Sequence, residues 1–252
     1  MLLVYISDCH DPNARGRLEI RCRALLGGLS FVFIGVSSEL EASGCLIDAI
    51  DALKGIPCII IVNVAPRGDK KKHPNGIPFC FSKVGDITII GTPNCFSLAK
   101  KIGILSTTSE TDVLRVCKMF LEENEARRIA NSQFRSYEYL PYLAKWLSEG
   151  KDIPATKLKI ADFGKKDFIW YVDCFGNCKT TIFSKKGFSR WSNRGFRPKF
   201  YEKLADIPSD DPRSFVVKGS SGYGNKRFFE IVCKGRSASE TLGYCVGKEL
   251  LY

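Results

Sequence analysis

Two carboxylates stand out by position. Asp8 closes an apolar run, Leu2 to Ile6, that reads as a strand. A carboxylate at the carboxyl end of the first strand of an α/β sheet sits where such sheets bind ligands, and it can accept hydrogen bonds from ribose hydroxyls. The same position suits the N-cap of the next helix, a role for which Asp11 competes. Asp173-Cys174-Phe175-Gly176-Asn177 gathers a carboxylate, an aromatic ring and an amide in one tight turn, which reads either as a binding constellation or as a plain hairpin turn. Between Cys174 and Phe200 seven basic residues (Lys179, Lys185, Lys186, Arg190, Arg194, Arg197, Lys199) and no acid are interleaved with Phe183, Phe188, Trp191, Phe196 and Phe200. Such cations could neutralise phosphates while the rings stack bases. Without an RNA-recognition or helix-turn-helix motif, a basic surface whose rings belong to a core is the better reading, and nucleic acid is not expected as a partner.

Other chemistries are excluded by what is missing. Cys174 and Cys178 are four apart, whereas zinc and redox pairs usually have two intervening residues and a matching second pair, so no metal is expected. His10 and His73 are the only imidazoles and no nucleophile-elbow sequence accompanies them, which argues against a hydrolase triad. Gly219 to Gly224 lacks both a strand-to-helix context and a Walker lysine, and reads as a turn. The 252 residues carry 38 bases and 27 acids, a net +11 that raises the prior for an anionic partner. Eleven cysteines, odd in number and irregularly spaced, fit reduced thiols in a cytoplasm better than a disulfide framework. No apolar run reaches the 18 or so residues of a bilayer span, so no membrane association is expected.

Positioning these residues requires two kinds of scaffold. From Leu2 to about Gly103, β-branched runs alternate with amphipathic stretches, the pattern of helices on a mostly parallel sheet. Strands are predicted at Leu2 to Ile6, Ser30 to Val36, Pro57 to Val64 and Asp86 to Ile90, with helices at Ala14 to Leu26, Glu39 to Leu53 and Asn94 to Lys101. Apolar spacing over Thr111 to Ile129 predicts one further helix, and Tyr137 to Leu147 another, closing an α/β domain of residues 1–150. The polar stretch 151–166 reads as a linker. Beyond it, short runs at Phe168 to Val172, Lys179 to Phe183, Ser214 to Lys218 and Phe228 to Lys234 predict an antiparallel β-barrel domain over residues 167–252.

Five motifs then occur in one order: Ile6-Ser7-Asp8; Val62-Asn63-Val64-Ala65-Pro66-Arg67; Phe134-Arg135-Ser136-Tyr137-Glu138; Asp173 to Asn177; and Gly219-Ser220-Ser221-Gly222, followed by Phe229 to Val232 and Gly235 to Ala238. In this order they resemble the S-adenosylmethionine (SAM) hydrolases and the related fluorinases and chlorinases. The resemblance implies an α/β domain followed by a β-barrel, and a homotrimer with SAM held between the first domain of one subunit and the second of the next. By the same resemblance Asp8 would hold the ribose diol, and Phe134 would border the substrate. Asp173, Phe175 and Asn177 would hold or border the methionine, and Ser220 and Ser221 would sit near the adenine or amino-acid end. SAM would be the substrate, with no further cofactor.

The reaction implied is in-line displacement at the ribose C5′ by water or an anion, with methionine leaving. Hydrolase members carry an Asp, an Arg and a His where this chain has Asn63, Lys70 and Arg135. An amide is no general base and an arginine keeps its proton, so the expectation is water or hydroxide near Ser136, oriented by Asn63 under the positive potential of Arg67 and Arg135. A plainer expectation for Arg135 is a salt bridge to Glu138. Ser136 matches the halogenase form of its motif, but Pro66 stands where the fluorinase has a halide-lining threonine, and no tryptophan falls near Ser37 to Ser43. Hydrolysis therefore ranks before halogenation, and a SAM or adenosine binder without chemistry is the third class.

Overall fold

The computed structural model describes residues 1–65, 77–161, 164, 166–191, 198–208 and 213–250. Pro66, Arg67, Lys70 and His73 lie outside these, as do Arg194, Phe196 and Arg197 and the side chains of Arg190 and Trp191. The chain divides into two compact units, Met1–Ala161 and Asp162–Tyr252.

The first unit begins β1 (Leu2–Ser7), α1 (Pro12–Leu26), β2 (Ser30–Gly35), α2 (Glu39–Leu53) and β3 (Cys58–Asn63). Then come β4 (Phe79–Val84), β5 (Ile87–Gly91), a 3-10 turn (Pro93–Phe96), α3 (Ser97–Lys101), β6 (Thr108–Thr111), α4 (Val113–Phe120), α5 (Glu123–Ala130), α6 (Arg135–Ser148) and β7 (Ala155–Leu158). Their caps are local and sequence-written. Asp11 accepts from the amides of Asn13 and Ala14 and so caps α1, with Pro12 at the first helical position, and Gly27 (φ 67°) ends the helix. Ser38 caps α2 by accepting from Glu41 N, while the Glu41 carboxylate accepts from Ser37 N at 2.7 Å.

These strands form one seven-stranded sheet, ordered β2-β1-β3-β5-β4-β6-β7. From β2 through β5 the pairings are parallel, and from β5 through β7 they are antiparallel. β3, with all six residues buried, has the uninterrupted apolar character of a parallel strand covered on both faces. On one face Leu18 and Cys22 of α1 and Leu140 and Leu143 of α6 join Leu3, Tyr5, Ile59, Ile61 and Ile90 in the core. On the other, α2 packs on β1 and β3.

Three expectations are corrected here. The helix expected over Thr111 to Ile129 is two helices: Thr111 belongs to β6, Asp112 caps α4 by accepting from Arg115 N at 2.7 Å, and Leu121 and Glu122 are extended. The stretch 151–166, expected as a linker, contains β7, which pairs antiparallel with β6. The sheet is parallel in one half only, because β4, β6 and β7 enter as antiparallel neighbours.

The second unit holds β8 (Asp167–Val172), β9 (Cys178–Thr180), α7 (Lys185–Trp191), β10 (Lys199–Tyr201), β11 (Ser214–Tyr223), β12 (Lys226–Cys233), α8 (Ala238–Leu242) and β13 (Glu249–Leu250). They build a six-stranded sheet ordered β10-β11-β12-β9-β8-β13, antiparallel except between β10 and β11. Among the described residues no pairing joins its two ends. Its core includes Ile169, Cys178, Val216, Phe229 and Ile231.

Candidate functional site

The connections that leave β1 and reach β3 run on opposite faces of the sheet, through α1 and α2. This makes the carboxyl ends of β1 and β3 the topological switch point, where open α/β sheets bind ligands. Asp8 follows β1 and Ala65 follows β3 within two residues, and both carboxylate oxygens of Asp8 lie 3.3 Å from Ala65 N, which donates to them. With His10, Ser37, Ser38 and Glu39 they line a cleft of about 430 Å³. Glu39 is anchored by the Asn94 side-chain amide, 3.0 Å from each of its oxygens. Because Asp11 performs the capping, Asp8 is not spent as a helix cap. Asn63 is buried opposite Ser7 in the β1–β3 register, one residue short of the cleft wall formed by Val64 and Ala65. His10 was weighed from sequence only for a hydrolase triad, and Ser37, Ser38 and Glu39 were not assigned to a site; the signal available was that the capping segment of α2 follows β2 directly.

At the start of α6, Phe134 stacks on Tyr137 (centroids 5.5 Å apart), and the Arg17 guanidinium lies 4.9 Å over the Tyr137 ring. Ser136 is buried. Arg135 turns elsewhere: it donates to the Ile77 carbonyl at 2.8 Å and lies 5.3 Å over the Phe79 ring. It lines a separate cavity of about 180 Å³ with Pro78, Glu110, Asp112 and Arg115, sharing no residue with the Asp8 cleft. Burial lowers its pKa from the ordinary value. The expected Arg135–Glu138 bridge is not formed. Glu138 instead pairs with Arg21 at 3.3 Å and Arg128 at 2.9 Å, the latter holding its carboxyl below the usual range.

In the second unit the 173–177 turn is self-contained. Asp173 accepts from the amides of Phe175 and Asn177 at 2.9 Å and from the Asn177 side chain at 3.0 Å. Gly176 (φ 78°) passes so close to Ser237, the N-cap of α8, that a Cβ there would collide with it. The Phe175 ring is 74% exposed, the most exposed large apolar side chain among the described residues. Ser220 and Ser221 lie in a bulge of β11, where the register jumps between Lys218 and Gly222. Buried Ser221 accepts from Lys179 Nζ, which also stands 5.6 Å from the centroids of both Trp170 and Tyr171. Lys179, read from sequence only as part of a basic stretch, is thus a tethered cation under two rings. The described rings of that stretch turn inward: Phe188 and Phe200 pack on Phe229, at 6.1 and 5.1 Å, and Phe183 lies edge-on to Phe228 at 6.5 Å. No cluster of His, Cys, Asp or Glu fit to hold a metal occurs among the described residues, and no helix is long and apolar enough to cross a membrane.

No family model and no curated protein matches the chain. Solved structures do. An uncharacterized conserved protein from Thermotoga maritima superposes with a TM-score of 0.64 at 15% identity, covering 98% of each chain. A conserved hypothetical protein from Thermus thermophilus superposes with a TM-score of 0.61 at 17% identity, covering 99% of this chain and 98% of its own. At such identities the likeness is one of fold. It extends over nearly the full length, so the combination of the two units is itself a shared architecture.

Proposed function

We propose that the chain binds S-adenosylmethionine and cleaves its C5′–sulfur bond with water or hydroxide, giving adenosine and methionine, as the resemblance of its motifs implies. The observation that carries the reading is Asp8 at the switch point, in a cleft that also holds Glu39. Two carboxylates suit a ligand that offers a ribose diol and a sulfonium cation. In this reading the second sheet closes into a barrel and the protein works as a homotrimer. Methionine would be held by Asp173, Phe175 and Asn177, with Ser220 and Ser221 nearby.

Water attacks C5′ as the carbon–sulfur bond breaks, the bonding pair leaves on sulfur to give neutral methionine, and the water's proton passes to solvent. Such a step asks the protein for alignment and for fixed dipoles in place of the nucleophile's hydration, roles that Asn63, Ser136 and Arg67 would fill. One observation favours a second reading, a SAM or adenosine binder without turnover. Arg135, expected to stabilise the attacking anion, engages Ile77 and Phe79 in a different cavity. Incubation with SAM, with and without chloride or fluoride, separates the readings by product: adenosine for the hydrolase, a 5′-halogenated nucleoside for a halogenase, none for the binder. Absence of SAM, adenosine and methionine binding by calorimetry at millimolar concentration overturns both the hydrolase and the binder.

A further inference from the structure

The seven-stranded sheet carries another cleft, of about 400 Å³, lined by Lys100, Lys157 and Lys159, by the hydroxyl-bearing Ser106 and Thr107 and by the buried Ile160. Its place follows from register. Cys80 of β4 pairs with Gly91 at the carboxyl end of β5, Phe79 with Thr111, and Thr111 with Ala155, so Thr108 and Leu158 lie at the other end of the sheet. The cleft is therefore at the amino end of the parallel strands, opposite the end that holds Asp8.

Three features set this concavity apart from an ordinary basic surface. No Asp or Glu lines it. Among the described residues none of its three lysines enters an ion pair, whereas Lys118, Lys145, Lys166 and Lys185 each meet a glutamate. Ser106 and Thr107 line the same cleft as the lysines, adding short hydroxyl-bearing side chains to the long ones. Three ammonium groups around one hollow repel one another, and a multivalent anion removes that repulsion. Ammonium groups and hydroxyls are rotatable point donors, suited to tetrahedral phosphoryl oxygens; the planar fork that selects a carboxylate is missing from this lining.

We infer that this cleft is a binding site for a soluble phosphate-bearing small molecule, with phosphoryl oxygens on Lys100, Lys157 and Lys159 and on the Ser106 and Thr107 hydroxyls. Calorimetric titration of the full chain with inorganic triphosphate tests it. The double variant Lys157→Ala, Lys159→Ala should bind about tenfold or more weakly, the size expected for lost charged hydrogen bonds. The control pair Lys186→Ala, Lys203→Ala, exposed in the other unit, should bind as the parent does. SAM affinity should not change in either. Failure of the parent to bind millimolar triphosphate overturns the inference. So does equal loss in both double variants, which would mean diffuse charge. Unchanged triphosphate binding with new aggregation of the Lys157 and Lys159 variant also overturns it, since those lysines would then serve to protect a sheet edge. A single-stranded oligonucleotide that binds more tightly than triphosphate and ignores the cleft substitutions would overturn it as well.

Discussion

Capping of α1 by Asp11 leaves the Asp8 carboxylate turned to the Ala65 amide and the cleft. Asp8→Ala should therefore weaken SAM binding by about 1.5 to 3 kcal/mol, the range for hydrogen bonds to a charged group, with little change in thermal midpoint. Calorimetry beside a melt checks both, and an unchanged affinity would remove Asp8 from the site. Arg135 shows the limit of reading a side chain from its motif. Its position at the start of α6 was legible, but its direction is decided by the Phe79 ring, at the start of a strand that composition did not reveal, and by the Ile77 carbonyl just before that strand. Arg135→Ala should cost about 1 to 2 kcal/mol in urea unfolding, from the lost hydrogen bond and cation–π contact. SAM affinity should stay within about threefold, because loss of one remote contact reaches binding only through stability. A large loss of turnover at unchanged stability would return Arg135 to the chemistry.

Among the elements, the parallel half of the sheet was legible because its inner strands β1, β3 and β5 are largely buried and spell apolar runs, as Cys58 to Asn63 does. The antiparallel half was not. Thr108–Thr111 and Ala155–Leu158 are four-residue strands without an apolar run, the first with two buried threonines and the second mostly exposed, and only the pairing of β6 with β4 and of β7 with β6 defines them. The break between α4 and α5 escaped notice because apolar residues keep helical spacing across it, while Leu121 itself is extended. One contact ties an element end to the site. Gly91 closes β5 directly against the Val62 carbonyl, where a Cβ would overlap it. Gly91→Ala should destabilise by about 2 to 3 kcal/mol, the upper range for overpacking, and displace the end of β3 that carries Asn63. A full-stability variant with unchanged ligand affinity would show that the backbones there are free to part.

Across the whole molecule, cysteine burial sets an alkaline boundary. Cys22, Cys95, Cys117 and Cys178 have thiols pushed by burial from 9.0 to about 12, and Cys58 to about 11. Their folded pKa values are raised, so the stabilisation is complete below the unfolded value and is lost as pH rises through the folded one. Urea midpoints should hold steady up to about pH 9 and fall steeply between there and about pH 12. A thiol reagent at pH 8 should modify the exposed Cys174 and Cys245 rapidly and the buried cysteines only on unfolding. Fast labelling of most thiols in the native protein would contradict this burial.

Strand β7 has a consequence for dissecting the chain. As the outermost strand it shields β6, and it lies beyond residue 150, where the polar composition invites a cut. A fragment ending at residue 150 would bare the edge of β6, whereas one ending at Ala161 keeps the sheet intact. The longer fragment should remain monodisperse in gel filtration and the shorter should associate or precipitate. Equal solubility of the two would mean that β6 needs no neighbour. Limited proteolysis should find the same border from outside, sparing 155–158 in the native chain because an edge strand held in its ladder resists the extended conformation a protease requires.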